Sequence, residues 1–180
     1  MSFDKELIFN DDSIVCKDDG FEVMMEWERP IMEKVAEFIC ANGGDILEVG
    51  FGMGISADLI QAQSIDSHTI VECHPVILEN LRVWASSKPN VTIIEGDWYE
   101  NIDKLGQYDG IFHDTFGDHN WKKFDDVIST IAKPGCRYTD WNSGGDREYW
   151  EDYEHLAIDI NPPDNKYFNE NIYYMPMVIL

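Results

Sequence analysis

Residues 46–61 read ILEVGFGMGISADLIQ, and this stretch decides the fold. An apolar run ends at Val49, three glycines then alternate with large side chains, and a helical pattern begins. A glycine-rich turn between a buried strand and a helix lets a ligand approach bare backbone, and the first N–H groups of the helix stay free to bind it. The stretch therefore predicts an α/β sheet with a ligand site at this turn.

Strand-like and helix-like segments alternate around this stretch. Strands are predicted at residues 45–50, 68–73, 91–96, 108–115 and 136–141, and helices from Pro30, Ile55 and Pro75 and over 121–131. The alternation implies a doubly wound, mostly parallel sheet covered by helices on both faces. Two further runs, 155–160 and 171–180, are joined without a helix, so they predict an antiparallel pair that closes the edge of a seven-stranded sheet. Pro176 inside the last run favours an edge strand or a bulge over a central strand.

Composition limits the partners of the chain. Its 180 residues suit one domain, which we expect over 23–180, with the polar residues 1–22 as an N-terminal arm or lid. The 35 acidic against 13 basic residues give a net charge of -22, which repels nucleic acid and anionic lipid and attracts cationic compounds or basic proteins. The acidity alone could also serve only solubility.

Localisation follows from what the sequence lacks. No apolar run reaches membrane-spanning length, and the acidic N-terminus does not resemble a signal peptide. The four cysteines are widely separated and form no CxxC pair, so neither a disulfide framework nor a zinc site is expected. We expect a protein of the reducing cytoplasm.

Acidic residues stand at three successive strand ends. Glu48 lies two places before the first glycine, Glu72 ends the second strand, and Gly96-Asp97-Trp98 follows the third. The third glycine comes one position too early for the dinucleotide fingerprint, whereas a carboxylate at this place suits the cationic groups of S-adenosylmethionine. A carboxylate after the second strand can accept the ribose hydroxyls. The pattern predicts an S-adenosylmethionine site.

Two further carboxylates define a candidate acceptor site. Asp114 ends the fourth strand, and Glu28 precedes the first helix. Two carboxylates can bind a guanidinium through forked hydrogen bonds, and one can take the proton that a methylated nitrogen loses. The plainer interpretations are a turn cap for Asp114 and a helix cap for Glu28. The histidines and aspartates at 113–119 follow no standard ligand spacing, so no metal is predicted.

The sequence resembles the guanidinoacetate N-methyltransferase family and its relatives, the protein arginine delta-N-methyltransferases. The resemblance is carried by MMEWERPIM (24–32), ILEVGFGMGI (46–55), VECHPVILENLRVWA (71–85), GDWYE (96–100), YDGIFHDTF (108–116) and KPG (133–135). It covers about residues 23–142 and again 172–178. It implies a class I, Rossmann-like methyltransferase that transfers a methyl group to a guanidino nitrogen of a small compound or of a protein arginine.

The resemblance also implies roles for individual residues. The positions that match cofactor contacts are Met32, Gly50, Phe51, Gly52, Met53, Gly54, Ile55, Glu72, Cys73, His74, Gly96 and Asp97, to which the strand-end reasoning adds Glu48 and Trp98. The positions that match acceptor contacts are Met24, Glu28 and Asp114, and we assign Asn142 to the same side. Asp114 and Glu28 are the expected catalytic residues.

Two alternatives remain open. After residue 142 the chain departs from the family, because the helix expected before the final strand pair is missing or very short. A cofactor-binding module without methyl transfer therefore stays possible. So does a methyltransferase that acts on another amine, a hydroxyl or a carboxylate, although a pocket lined by two acids disfavours a carboxylate.

Overall fold

A computed structural model describes residues 5–142 and 153–180. In chain order the strands are β1 Leu7–Phe9, β2 Ser13–Cys16, β3 Glu22–Met25, β4 Asp45–Val49, β5 Ser67–Glu72, β6 Val91–Glu95, β7 Tyr108–His113, β8 Ala132–Asp140, β9 Glu154–Asp159 and β10 Ile172–Ile179. The helices are α1 Arg29–Ile39, α2 Ile55–Gln61, α3 Pro75–Ala85 and α4 Phe124–Ile131. Short 3₁₀ turns span Glu26–Glu28, Tyr99–Lys104 and Trp121–Lys123.

The main sheet confirms the predicted fold class. Its strands lie in the order β6-β5-β4-β7-β8-β10-β9. The five strands from β6 to β8 are parallel, while β10 is antiparallel to both β8 and β9. The order reverses between β4 and β7, where a doubly wound sheet opens its ligand crevice at the carboxyl ends of the strands.

The edge of the sheet differs from the prediction in one detail. The closing antiparallel pair is present, but β10 lies between β8 and β9, so Pro176 is not on the outermost strand. It pairs with His155 of β9, whereas the ladder to β8 runs through Val178 and Ile179. Pro176 therefore lies outside the ladder between β10 and β8, and its missing N–H costs no hydrogen bond to β8.

Two hydrophobic layers cover the sheet. Side chains of β4 alternate between them: Ile46 packs with α1, while Leu47 and Val49 pack with α4. A third cluster joins α2, α3 and β5 around the buried Phe51. Because these layers fix both faces of the sheet, the loops at the strand ends are left to form a site. None of the helices in the described ranges is long and apolar enough to cross a bilayer.

The N-terminal segment forms a second, small sheet. Strands β1, β2 and β3 pair antiparallel, and Ile14 and Cys16 in β2 are fully buried. Such short strands lack the length that makes alternation readable in a sequence. Whether residues 1–22 act as an arm or lid stays a prediction.

Candidate active site

A cavity opens at the carboxyl ends of β4, β5, β6 and β7. Most of the predicted cofactor residues line it: Gly50, Phe51, Gly52, Glu72, Cys73, His74, Gly96, Asp97 and Trp98. Met24 and Asp114, predicted on the acceptor side, line it too. The structure therefore brings residues from separate strand ends to one crevice.

The glycine loop is shaped by close neighbours within the protein. Gly50 and Gly52 have φ of 96° and 52°, which side chains rarely adopt. A Cβ on Gly50 would overlap the carbonyl oxygen of Asp114, and one on Gly52 would overlap the sulfur of Met24. These glycines let the end of β7 and a side chain of β3 approach the loop beside the cavity.

The Glu72 carboxylate is fixed at the cavity wall by backbone donors. Its Oε2 accepts the N–H of Phe51 at 3.0 Å, and its Oε1 accepts those of Cys73 and His74 at 2.7 and 2.8 Å. The side chain is buried and holds the glycine loop against the end of β5. An ionised carboxylate has about four acceptor sites, so capacity remains for a ligand hydroxyl.

The end of β6 forms another wall. The indole Nε1 of Trp98 donates to Asp118 Oδ2 at 2.6 Å, and the ring packs edge-on against Phe124. Burial works to raise the pKa of Asp118, but the nearby His113 ring and hydrogen bonds from Trp98 and the backbone N–H of Asn120 outweigh it and lower the pKa to about 2. Asp118 is therefore an anionic anchor that orients Trp98.

Glu48 lies beneath the glycine loop instead of lining the cavity. Its carboxylate is fully buried, accepts a hydrogen bond from the Ser56 hydroxyl, and lies 3.0 Å from Nε2 of His68. Ser56, in the first turn of α2, lines the cavity in its place. The prediction that Glu48 contacts the cofactor stays untested, and its observed contacts support the loop from below.

Other predicted contact residues are not among those that line this cavity. Met32 and Ile55 are buried in the hydrophobic core. Met53 donates its backbone N–H to the sulfur of Met24 at 3.2 Å, and Gly54 precedes α2 with φ of 77°. Asn142 ties β8 to β10: its backbone N–H donates to the Tyr173 hydroxyl at 2.8 Å. Their assigned roles stay predictions.

Some cavity-lining residues were not predicted from the sequence. They are Lys5, Leu7, Val23, Ser56, Thr115, Phe116 and Asp118, among others. The loop after β7 could have been nominated, because loops at the carboxyl ends of strands carry ligand contacts. The N-terminal contacts have no such signal: the backbone oxygen of Lys5 lies 3.0 Å from His74 Nε2, a contact between residues far apart in the chain.

The acceptor side contains two carboxyl groups with raised pKa values. Glu28 is only 3% exposed, and its Oε1 accepts the N–H of Met25 at 2.7 Å and the hydroxyl of Tyr167 at 2.6 Å. Burial raises the pKa of Glu28 to about 7. Burial, and then the charges of Glu28, Glu48 and Asp140, raise the pKa of Asp114 well above its ordinary value. The charge of Glu28 contributes to the raised pKa of Asp114, so the two predicted acceptor residues interact electrostatically.

A third carboxyl group with a raised pKa lies at the end of β8. Asp140 is 9% exposed, its Oδ1 has no hydrogen-bond partner, and burial raises its pKa to about 8. No lysine or arginine of the described residues forms an ion pair with Glu28, Asp114 or Asp140. Burying charge without a counterion is unfavourable, so this group of acids suits an incoming cation.

The described residues contain no cluster of three potential metal ligands. The part of the chain that departs from the resembled family, where a helix is missing or short, falls largely on residues 143–152 and lies outside the described residues.

Comparison with known proteins identifies the family. The sequence model described as guanidinoacetate N-methyltransferase matches residues 8–137. The chain belongs to the guanidinoacetate N-methyltransferase family. This confirms the resemblance stated from the sequence.

Curated relatives of the family carry a related name. The chain is 34% identical to protein arginine N-methyltransferase 2 of Saccharomyces cerevisiae, over 96% of this chain and 51% of that protein. It is 37% identical to the protein of the same name from Aspergillus oryzae, over 86% of this chain and 40% of that protein. The chain therefore spans about half or less of the length of these relatives.

Solved structures share the fold at low sequence identity. Spermidine synthase from Thermotoga maritima superposes with a TM-score of 0.68 at 13% identity, covering 97% of this chain and 72% of that one. Precorrin-6y C5,15-methyltransferase from Geobacter metallireducens gives 0.65 at 16% identity, covering 94% and 96%. The family's sheet order is thus shared with proteins of distant sequence, and these matches support the fold alone.

Proposed function

We propose that this domain is an S-adenosylmethionine-dependent N-methyltransferase that acts on a guanidino nitrogen. The observation that carries the proposal is the adjacency of two features: a cavity built from four strand ends, and carboxyl groups at its border that have no basic partner among the described residues. Membership of the guanidinoacetate N-methyltransferase family supports the same reaction.

The cavity residues fit the cofactor. Glu72 keeps acceptor capacity for ribose hydroxyls, Trp98 and Asp97 form the wall suited to adenine, and the bare backbone at Gly50 and Gly52 borders the methionine part. When bound, S-adenosylmethionine supplies an electrophilic methyl group on a sulfonium. The residues of the chain contribute position, charge and proton transfer.

Glu28 and Asp114 would bind and activate the acceptor. Burial raises the pKa of both carboxyl groups and so favours their protonated forms. A guanidinium placed against them reverses this preference, because a nearby positive charge favours the ionised form. Held by two acids, the guanidinium is oriented toward the cavity, which lowers the entropic cost of reaction. Asp114, which lines the cavity, then takes the proton that the nitrogen loses as its new bond to carbon forms.

The acceptor class remains a guanidino compound or a protein arginine. The net charge of -22 suits either a small cation or a basic protein.

A reducing compartment such as the cytoplasm suits the four free cysteines, three of which are buried.

A panel of acceptors with isotope-labelled cofactor tests the proposal. We expect label to enter guanidinoacetate, free arginine or an arginine-containing basic peptide, and not a matched panel of carboxylic acids and alcohols. Mass spectrometry of the product then identifies the methylated nitrogen. Cofactor binding by calorimetry without transfer to any acceptor would favour a binding module, and label confined to carboxylates or hydroxyls would favour a different methyltransferase.

A further inference from the structure

Tyr167 contacts an acid that the proposed reaction needs, from a part of the chain with no assigned role. It lies in the segment between β9 and β10, and its hydroxyl donates to Glu28 Oε1 at 2.6 Å. The backbone N–H of Met25 donates to the same oxygen. Oε1 therefore has two donors, while Oε2 receives none from the described part of the chain.

The segment that carries Tyr167 is anchored on both sides. Asn165 Oδ1 accepts the backbone N–H groups of Tyr167 and Phe168 at 3.0 and 2.7 Å, which forms a tight turn. Lys166 Nζ donates to the backbone oxygens of Asp19 and Gly20 at 2.6 and 2.9 Å, next to β3. The turn is thereby tied to the small N-terminal sheet.

Aromatic packing fixes the ring itself. The Trp27 ring stacks on the Tyr167 ring with centroids 5.9 Å apart, and Trp141 approaches within 6.2 Å. Phe168, the next residue, is buried in the core beside Trp27. A ring held this way presents its hydroxyl at a fixed place, so its hydrogen bond to Glu28 costs little further conformational entropy.

We infer that Tyr167 is a positioning residue for the methyl acceptor: its hydroxyl holds Glu28 by Oε1, so that Oε2 is the atom presented to a guanidinium N–H. The inference deepens the proposed function and rests on it for the role of Glu28. Nothing in the local sequence signals this contact, since the two residues are 139 positions apart.

The same hydrogen bond controls the charge of Glu28. Burial raises the pKa of Glu28, and the donors from Tyr167 and Met25 oppose that rise. The titratable groups that face Glu28 are Tyr167 itself, Asp114 after β7 and Tyr173 in β10, whose pKa values are all raised by burial and by the Glu28 charge. Asp140 and Glu48 act on Asp114 as well. Loss of the hydroxyl therefore favours neutral Glu28 at physiological pH.

Tyr167→Phe tests the inference because it keeps the stacked ring and removes only the hydroxyl. Carbon-13 NMR of labelled glutamate side chains follows Glu28, whose signal is assigned by its loss in Glu28→Gln. We expect the titration midpoint of Glu28 to rise by about one pH unit in Tyr167→Phe. Tyr108→Phe is the matched control, since its buried hydroxyl accepts the N–H of Gly106 at the opposite end of the sheet.

Calorimetry supplies a second readout that needs no methyl transfer. Guanidinoacetate and a short arginine-containing peptide serve as probes, with S-adenosylhomocysteine present. At pH 7 we expect Tyr167→Phe to bind the probe about tenfold more weakly than wild type, to recover part of the loss at pH 9, and to keep its nucleoside affinity. If Tyr167→Phe fails to fold, Lys166→Met replaces it, because it removes the hydrogen bonds that anchor the same turn. It should raise the titration midpoint of Glu28, by less than is expected for Tyr167→Phe.

The outcomes separate the two claims. An unchanged Glu28 midpoint in Tyr167→Phe, an unchanged probe affinity, or a wild type that binds neither probe would each overturn the inference. Probe binding with the expected shifts, but without transfer from labelled cofactor, would overturn the proposed reaction and leave the role of Tyr167 standing.

Discussion

Two groups of acidic residues, at opposite ends of the main sheet, differ in whether they pair with a lysine. At the amino ends of the strands, Lys133 Nζ lies 2.6 Å from Asp45 Oδ2 and 2.7 Å from Asp109 Oδ2. At the carboxyl ends, Glu28 and Asp140 are buried and Asp114 is half-buried at the cavity, and none of the three pairs with a lysine or arginine of the described residues. Lys133 pairs with the two acids at the amino ends, whereas these three acids at the carboxyl ends have no basic partner among the described residues.

The pKa values express this difference. Hydrogen bonds from Lys133 and then from Ser67 lower the pKa of Asp45. Burial raises the pKa of Glu28 to about 7 and that of Asp140 to about 8. Perturbed acids occur both in structural ion pairs and in active sites, so the direction of the shift is the informative feature. When the charged form of an acid is disfavoured in the folded protein, a cationic substrate bound beside it stabilises that charged form.

The largest expected effect is on the rate of methyl transfer, and it distinguishes Asp114 at the carboxyl ends of the strands from Asp109 at their amino ends. Asp114→Asn should lower the rate of methyl transfer about 10²- to 10⁴-fold, because it removes the proposed proton acceptor. Asp109→Asn, the matched change at the amino end, should keep the rate and lower the stability. Initial rates with labelled cofactor measure both, and full turnover by Asp114→Asn would contradict the role given to that carboxylate.

The second prediction concerns stability and pH. Unfolded Glu28 releases its proton near pH 4.5, whereas the folded protein holds it to about pH 7, so the folded state binds more protons in that interval. The contribution of Glu28 to stability is thus full below about pH 4.5 and is lost as pH rises through 7, by about 3 kcal/mol. Denaturant unfolding from pH 4.5 to 8 should show a smaller fall for Glu28→Gln than for wild type.

One control variant and one comparison of sign sharpen that measurement. Glu79→Gln, at an exposed position on α3, should leave the pH dependence of wild type unchanged. The lowered pKa of Asp45 has the opposite sign: its contribution is present above the unfolded pKa and is lost as pH falls through the folded value. An identical pH dependence in wild type and Glu28→Gln would show that Glu28 titrates normally.

The third prediction compares two glycines at opposite ends of β4. Gly44 and Gly50 both have positive φ, and a Cβ would overlap the Asp109 side chain in the first case and the Asp114 carbonyl oxygen in the second. Gly44→Ala and Gly50→Ala should each lower the free energy of unfolding by about 1–3 kcal/mol. Only Gly50→Ala should also weaken cofactor binding, by roughly 10- to 100-fold in calorimetry. Equal cofactor affinity in the two variants would show that the glycine loop does not contribute to cofactor binding.

The smallest expected effect belongs to the ion pairs of Lys133. The lysine side chain is 33% exposed, so solvent screens both pairs, and Lys133→Met should cost about 1 kcal/mol of unfolding free energy. Methyl transfer should stay at the wild-type rate. A loss of transfer with an intact fold would mean that the two ends of the sheet are not independent.

Much of the fold could be predicted from the sequence because its signals are local. The parallel strands β4 to β7 are mostly apolar runs, and three of the four predicted helices begin near a proline or the glycine loop. The acids that follow strands come together because parallel strands end at one edge. That is why Glu72, Asp97 and Asp114 line one cavity.

The remaining features depend on contacts that spacing does not encode. Whether Glu48 reaches the cavity depends on what α2 presents to it, and Ser56 and His68 hold its carboxylate under the loop. The three short strands near the N-terminus form only by pairing with one another. Tyr167 reaches Glu28 through a turn fixed by Asn165, a tertiary contact without a local sequence signature.

A crystal structure with S-adenosylhomocysteine and the acceptor that turns over would test the central claim most directly. The account predicts the nucleoside against Glu72 and a guanidinium within hydrogen-bonding distance of both Glu28 and Asp114. A guanidinium bound elsewhere, with these two carboxyl groups still facing no cation, would contradict it.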